Sequence, residues 1–375
     1  MLPILHFLQT PLSFLAVIFL LVFVHEMGHY LVAKLCGVRI ETFSIGFGRE
    51  LWGRNDKSGT RWRISAIPLG GYVKMFGDAS EYSSPSDDVD TLPEAEKRFT
   101  FYHKSLLKKT AIVAAGPIAN FILSIVIFTV FIAMVGLSST EPVVGGVVEN
   151  SAAQAAGLQA GDRIIAIDDE TVDTFNDIPR IIFTNLGTPV TLKIKRSDKT
   201  FPLTLTPKMV TEQDALGNTV THPLIGIKSR EIKMQNVGLP RAVWEATLRT
   251  YNICSTNLRA IGQIITGKRN FGSSVTGPIG IAKMSGEAAN EGIGVLFMLM
   301  AYLSANLGLI NLFPIPVLDG GHLLYYAIEA ARGKPMARKF QEYGLRVGMA
   351  FIAMLMTYVI INDIHKWLLT LSKHN

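Results

Sequence analysis

The chain has 375 residues, 49% of them hydrophobic and only 18% charged, with a mean hydropathy of +0.31. That balance is too apolar for an ordinary soluble protein and implies several membrane spans. The net charge of +6 does not point to nucleic acid, because the basic residues sit beside apolar runs and do not interleave with aromatic ones. Two distant cysteines, Cys36 and Cys254, exclude both a disulfide framework and a CxxC thiolate zinc site.

The first apolar run, 4–35, is long enough to cross a bilayer as a helix. It has no basic leader, so it is expected to stay in the mature protein. Near its end stands His25-Glu26-Met27-Gly28-His29. On a helix His25 and His29 share one face, so two imidazoles reach one metal ion while Glu26 projects beside them toward a water. This spacing suits zinc-assisted hydrolysis, in which neutral nitrogens and an anionic ligand leave one tetrahedral position open and a carboxylate takes the water proton. Ionisable residues within a span cost about 2.5–3.5 kcal/mol each on insertion scales, which favours a functional reading. The motif lacks a third protein ligand.

Next, 43–48 and 62–75 read as strands with glycine turns, forming a hairpin that either lies on the membrane surface or dips toward the site. Residues 81–96 read as an acidic flexible loop, and 98–109, mixing aromatic and basic residues, as an interfacial helix. A second span, 110–135, opens with Ala115-Gly116-Pro117-Ile118-Ala119-Asn120, where Pro117 and Asn120 suit function and packing equally. From 141 to 230 the composition is that of a soluble α+β domain, with strands at 143–148, 163–168, 189–195 and 200–206 and helices at 151–156 and 175–184. An amphipathic helix is expected at 241–262, then a turn-rich link at 275–280. The third span, 293–313, ends in Asn311-Leu312-Phe313-Pro314-Ile315-Pro316-Val317-Leu318-Asp319-Gly320-Gly321-His322, and a fourth span covers 344–361.

Lys34, Arg39, Lys104, Lys108 and Lys109 place the connection between the first two spans on the cytoplasmic side. Arg332, Lys334, Arg338 and Lys339 put the turn between the last two there as well, leaving 137–290 and both termini outside. His25, His29 and Asp319 then all lie near the inner ends of their helices. Asp319 is therefore the expected third ligand, in preference to His322 beyond the Gly-Gly turn.

The segment 151–164 resembles a bacterial PDZ domain. Together with His-Glu-Met-Gly-His, Asn311-x-x-Pro-x-Pro-x-Leu-Asp-Gly, the 68–75 segment and Ala-Gly-Pro-x-x-Asn, it makes nearly the whole chain resemble the site-2 protease family of intramembrane zinc metalloproteases. The likeness is greatest to the bacterial regulator of sigma-E branch, in a version with one PDZ domain. The resemblance implies an α-helical polytopic membrane protein with about four transmembrane helices, a membrane-associated β hairpin and an inserted α+β PDZ domain. Its domains would be 1–136 and 291–375 in the membrane, a PDZ domain at 137–230 and an extracytoplasmic linker at 231–290. It also implies one Zn2+ on His25, His29 and Asp319, with Glu26 as the general base. Asn311, Gly70, Gly71 and Tyr72 would bind substrate. The partners would be the lipid bilayer, a pre-cleaved substrate with a single transmembrane helix such as an anti-sigma factor or a signal-peptide remnant, and a peptide or substrate segment at the PDZ domain. Nucleic acid is not expected. The expected location is a bacterial inner membrane, with the active site near the cytoplasmic side.

Overall fold

The computed structural model describes residues 2–78, 89, 91–139, 141–185, 187–213, 219–229, 233–334 and 336–373. In chain order the elements are α1 (Leu2–Leu35), β1 (Ile40–Asn55), β2 (Arg61–Met75), α2 (Glu94–Lys97), α3 (Leu106–Val135), β3 (Leu137–Ser139), β4 (Val144–Val147), α4 (Ala152–Ala155), β5 (Arg163–Ile167), β6 (Glu170–Thr171), α5 (Asp177–Phe183), β7 (Val190–Arg196), β8 (Lys199–Leu205), β9 (Lys208–Gln213), β10 (Thr219–Leu224), β11 (Ile227–Ser229) and β12 (Lys233–Gln235), followed by α6 (Leu239–Ile265), α7 (Phe271–Ser274), α8 (Pro278–Glu291), α9 (Ile293–Asn311), α10 (Asp319–Arg332) and α11 (Arg338–Lys373). They form two compact units, Met1–Phe128 with Thr276–Asp363, and Thr129–Val275 with Ile364–Asn375.

Among the described residues four helices are long and apolar enough to cross a membrane: Gln9–Leu35, Leu106–Val135, Ile293–Asn311 and Lys339–Lys366. The chain is thus a multi-pass membrane protein. On α3 the surface is inverted relative to a soluble helix: Ile118, Ile122 and Val126, spaced by four, are about half exposed, whereas Asn120 and Ser124 are fully buried. Apolar residues face outward because lipid solvates them, and polar ones turn inward to find partners. One such partnership ties α9 to α3, where Ser304 Oγ donates to the Asn120 carbonyl at 2.8 Å. The turn-rich link expected at 275–280 gives way at Pro278 to the helix α8. Its start is fixed by Asp363, whose carboxylate accepts the backbone N–H groups of Gly277 (3.1 Å) and Gly280 (3.0 Å). Ala288 of α8 packs with Val17, Leu21, Leu296 and Met300 in one buried cluster of the membrane unit.

The hairpin is longer and more folded than the sequence suggests. Residues 40–45 run antiparallel to 71–75 on one side, from Ile40 opposite Met75 to Ile45 opposite Gly71. On the other side they lie beside 61–64 with both strands running the same way, from Thr42 opposite Arg61 to Ile45 opposite Ile64. Residues 50–55 close the outer edge against 61–65. The two strands therefore double back into four segments. Gly46 (φ +88°) supplies one bend, where an added Cβ would come within 2.7 Å of the Ile67 carbonyl oxygen. Phe43, Ile45, Val73 and Met75 carry the inner face of this sheet onto Tyr30, Ala33, Ile112 and Val113.

Residues 98–105 are turns and bends, and helix begins only at Leu106, so the interfacial helix expected over 98–109 is absent from its first half. The aromatic residues have a different use. Phe101 is buried in the hairpin core, and the Arg39 guanidinium lies 5.1 Å from the Phe99 ring and 4.8 Å from that of Phe76. Most of the expected acidic loop, at 79–88 and 90, lies outside the described residues, and Glu94–Lys97 forms the short α2.

The second unit is built around the sheet β6-β5-β7-β8. Its core holds Ile164, Ile167, Ile178, Ile182, Leu192 and Ile194. Alternation along β7 puts Val190, Leu192 and Ile194 inward. Helix α4 is capped by Ser151, whose hydroxyl accepts Gln154 N–H at 3.1 Å. The Arg196 guanidinium grips the Asp162 carboxylate with two bonds of 2.7 Å. The strands and helices expected between 143 and 206 are all present, each within two residues of its expected ends.

Two outcomes follow from this packing. Ile194→Ala removes a fully buried side chain and is expected to destabilise the second unit by about 2–5 kcal/mol, read as earlier thermal unfolding of the detergent-solubilised chain. Asp78, after the hairpin, accepts the Met75 N–H (2.8 Å) and the Tyr102 hydroxyl (2.7 Å), and burial raises its pKa from 3.8 to about 7. The folded chain keeps this proton while the unfolded chain loses it near 3.8, so stability falls as pH rises from about 4 to about 7 and then levels. Asp78→Asn is expected to flatten that dependence, as measured by melting temperature against pH.

Candidate metal centre and cleft

The site starts from two close helix approaches. Gly28 of α1 lies against α3, where an added Cβ would fall 2.8 Å from the Ala115 carbonyl carbon and 2.9 Å from Ala119 Cβ. Gly116 of α3 faces the histidines, and a Cβ there would overlap His29 Nε2 and lie 2.8 Å from His25 Cε1. Glycine at both positions lets α1 approach α3 closely enough for backbone and side-chain groups of α3 to hold the imidazoles. His29 Nδ1 lies 2.8 Å from the Ile112 carbonyl oxygen, and His25 Nδ1 lies 3.0 Å from the Asn120 carboxamide.

A carbonyl oxygen only accepts, so His29 Nδ1 carries the proton and Nε2 of the neutral ring presents a lone pair. At His25 it is the Asn120 Nδ2 that faces Nδ1, which leaves the buried Asn120 Oδ1 with no hydrogen-bond partner among the described residues. With the carboxamide oxygen turned to the ring, His25 Nδ1–H donates to it, and its Nε2 is likewise left as a lone pair.

The third group arrives from α10. Pro314 and Pro316 stop α9 from continuing. Gly320 and Gly321 then fold the first turn of α10 back on the preceding loop. A Cβ at Gly320 would lie 2.4 Å or closer to the Leu312 and Phe313 carbonyls, and one at Gly321 would crowd the Ile315 carbonyl. Asp319, the first residue of α10, is thereby set 3.2 Å from His25 Nε2 and 3.5 Å from His29 Nε2, while the two Nε2 atoms are 3.2 Å apart.

Ligand atoms of these three residues all lie within 4.8 Å of one another. Tetrahedral zinc with bonds of about 2.0–2.1 Å separates its ligand atoms by roughly 3.3–3.4 Å, so the observed spacing fits. Two lone pairs and a carboxylate at this range repel one another unless a cation sits among them. Asp319 Oδ2 is buried with no hydrogen-bond partner among the described residues, as expected of an atom reserved for a metal.

Glu26, next to His25, lines the same cavity of about 660 Å³ as the three ligand candidates. Of the residues expected to bind substrate, Gly70, Gly71, Tyr72 and Asn311 all line it too. Gly71 packs directly on α1: an added Cβ would meet Val22 Cγ1 at 2.8 Å and Glu26 Cγ at 3.0 Å. Tyr72 stacks on Phe47, with centroids 5.9 Å apart, under the Arg63 guanidinium. Among the described residues, 71–75 pair with 40–45 along one edge and with no strand along the other. His322, the alternative ligand, lines the cavity but stands outside the cluster. Sequence reasoning left Asn120 undecided and did not single out Gly116 or the Ile112 carbonyl; the signal for Asn120 was one carboxamide in an apolar helix, while a backbone acceptor leaves no signal.

The model of peptidase family M50 matches residues 13–355. A candidate zinc metalloprotease of Agrobacterium fabrum is 45% identical over 356 residues, covering 94% of each chain. One from Rickettsia conorii is 39% identical, covering 94% of this chain and 98% of the relative. The metalloprotease MmpA of Caulobacter vibrioides is 35% identical over 96% of each chain. A PDZ domain structure from Listeria monocytogenes aligns with 25% of this chain at 25% identity, and with a TM-score of 0.20 it shows nothing of the inserted unit's fold. A match of this length to the family model, with relatives alike from end to end, means that the chain belongs to peptidase family M50, the site-2 protease family of zinc metalloproteases.

Proposed function

We propose that this metalloprotease hydrolyses a peptide bond in or near the transmembrane helix of a membrane protein substrate, on one zinc ion held by His25, His29 and Asp319. The observation that carries this reading is the convergence of those three side chains with Glu26 in one cavity that the strand 71–75 also lines. When bound, zinc supplies a Lewis acid for the scissile carbonyl and lowers the pKa of a water toward about 7. Glu26 takes the proton of the attacking water and returns it to the leaving nitrogen. Asn120 and the Ile112 carbonyl hold the Nδ1 protons, fixing ring orientation and strengthening both Nε2 donors.

A peptide bond within a helix is shielded by its own hydrogen bonds, so the substrate must be extended before it is cut. On the side of 71–75 away from 40–45, where no other described strand lies, such a segment would add as a further strand. Asn311, at the end of α9 and lining the same cavity, would help hold it.

The 137–230 insert is read as a PDZ domain that receives a peptide or admits substrates by size after another protease has removed their outer part. An anti-sigma factor or a signal-peptide remnant would be such a substrate. The lysines and arginines near 34–39, 104–109 and 332–339 support an orientation in a bacterial inner membrane with the site near the cytoplasmic side and the insert outside.

Three substitutions test the roles. Glu26→Gln is expected to keep its zinc while cleavage of a model transmembrane peptide in detergent falls by at least about 100-fold, and undiminished cleavage would remove Glu26 from this role. Asp319→Ala should lose zinc, read by atomic absorption of the purified protein. Asn120→Leu is expected to weaken zinc affinity by about 10–100-fold, measured by competition with a chelator.

A further inference from the structure

The hydrolysis just described leaves several polar side chains of the cavity without a task, His322 among them. His322 lies on α10, three residues after Asp319 and therefore on the same helix face, and it lines the cavity with His25, Glu26, His29 and Asp319. It is half-buried. Its one ring neighbour is Tyr325, edge-on with centroids 6.3 Å apart, and among the described residues neither of its nitrogens has a hydrogen-bond partner. A neutral imidazole always carries one N–H, and a donor held in a cleft without an acceptor is a cost unless something that visits the cleft accepts it.

Resting on the hydrolase reading, the geometry points to His322 as a further catalytic residue, donating a hydrogen bond to the scissile carbonyl oxygen as that oxygen gains negative charge. Water adds to the carbonyl carbon, the π electron pair moves onto oxygen, and the water proton goes to Glu26. The pair then returns, the C–N bond breaks, and Glu26 delivers the proton to the amine. His322 neither gains nor loses a proton. Its N–H bond strengthens when the oxygen is anionic and so favours the transition state over the bound peptide.

The placement is complementary. Glu26 stands on α1 beside the histidines, and His322 reaches the same space from α10, so base and donor enter from different helices. The neighbouring tyrosines serve less well. The Tyr325 hydroxyl abuts Gly344 of α11, so that a Cβ there would overlap it. The Tyr326 ring lies under the Lys109 ammonium at 5.4 Å, two helical turns beyond Asp319. Burial, opposed by Asp319 and assisted by His29, lowers the pKa of His322 and so favours its neutral ring.

The test uses the full-length protein in detergent and compares His322→Phe, which keeps an aromatic ring without a donor, with His322→Gln, which keeps an N–H donor. Zinc content, kcat and KM on a model transmembrane peptide, and affinity for a phosphinic peptide of the same sequence are measured for each. For His322→Phe the expected result is unchanged zinc, kcat lower by about 100-fold, KM within about threefold, and a loss of phosphinic-peptide affinity of similar size to the loss in kcat. His322→Gln should recover at least about tenfold of both losses. If His322→Phe fails to hold zinc, His322→Ala takes its place in the comparison. Equal losses for the donor-keeping and donor-lacking variants, or wild-type kcat in both, overturn the assignment. A wild-type protein that carries no zinc and cuts nothing would fail earlier, and is recognised by failing before any His322 variant is compared.

Discussion

Everything in the membrane unit depends on holding two imidazole lone pairs and a carboxylate within 3.2–3.5 Å of each other. With both rings neutral and their protons on the opposite nitrogen, toward the Ile112 carbonyl and a turned Asn120 carboxamide, no hydrogen bond satisfies that arrangement. The cluster repels itself in a setting where polar groups are already costly. A cation would convert the same geometry from repulsion into coordination, so these atoms are a folding burden and a candidate metal site at once. Relatives classed with metalloproteases share the chain from end to end, which is what this constraint leads one to expect.

The burden is borne by small residues and by backbone. Gly28 and Gly116 let α1 and α3 approach until groups of α3 reach the imidazoles, and Gly320 with Gly321 folds α10 back so that its first residue meets them. At none of these four glycines is a left-handed backbone the issue. What each provides is space, and each occupies a contact where a methyl group would collide with carbonyl or imidazole atoms. Gly46 and Gly70 differ: both have positive φ, and they bend the two strands so that four short segments fit where two long ones would not.

The features legible in the sequence were those written in side-chain chemistry. His25, Glu26, His29 and Asp319 declared themselves as ionisable residues at the ends of apolar runs, and counting lysines and arginines was enough to bring all four to one side. The spans were legible because about 20 apolar residues in a row have few other uses. What remained hidden depends on tertiary partners. Residues 98–105 have the composition of an interfacial helix, yet Phe101 is drawn into the hairpin core and Arg39 stacks against Phe99, so the chain turns there. Helix α8 was obscured by its Gly-Pro start. That pairing reads as a turn until Asp363, more than eighty residues away, is seen to cap it. Asn120 could be noticed but not decided, since a carboxamide in an apolar helix looks the same whether it pairs with a neighbouring helix or with a ligand's imidazole.

The unsatisfied polarity of the membrane unit is concentrated in one place. The Asp319 Oδ2 atom and the nitrogens of His322 have no hydrogen-bond partner among the described residues, and no described strand lies along 71–75 on the side away from 40–45; all belong to elements that line the same cavity. On the proposed reading a helical segment would gain nothing beside that strand, because its own N–H and C=O groups are already paired. An extended one would gain backbone hydrogen bonds there, and its exposed carbonyl would then be open to the metal and to a donor. A preference for unwound peptide would thus need no separate recognition element, and the hydrogen bonds gained would offset part of the cost of opening the substrate helix.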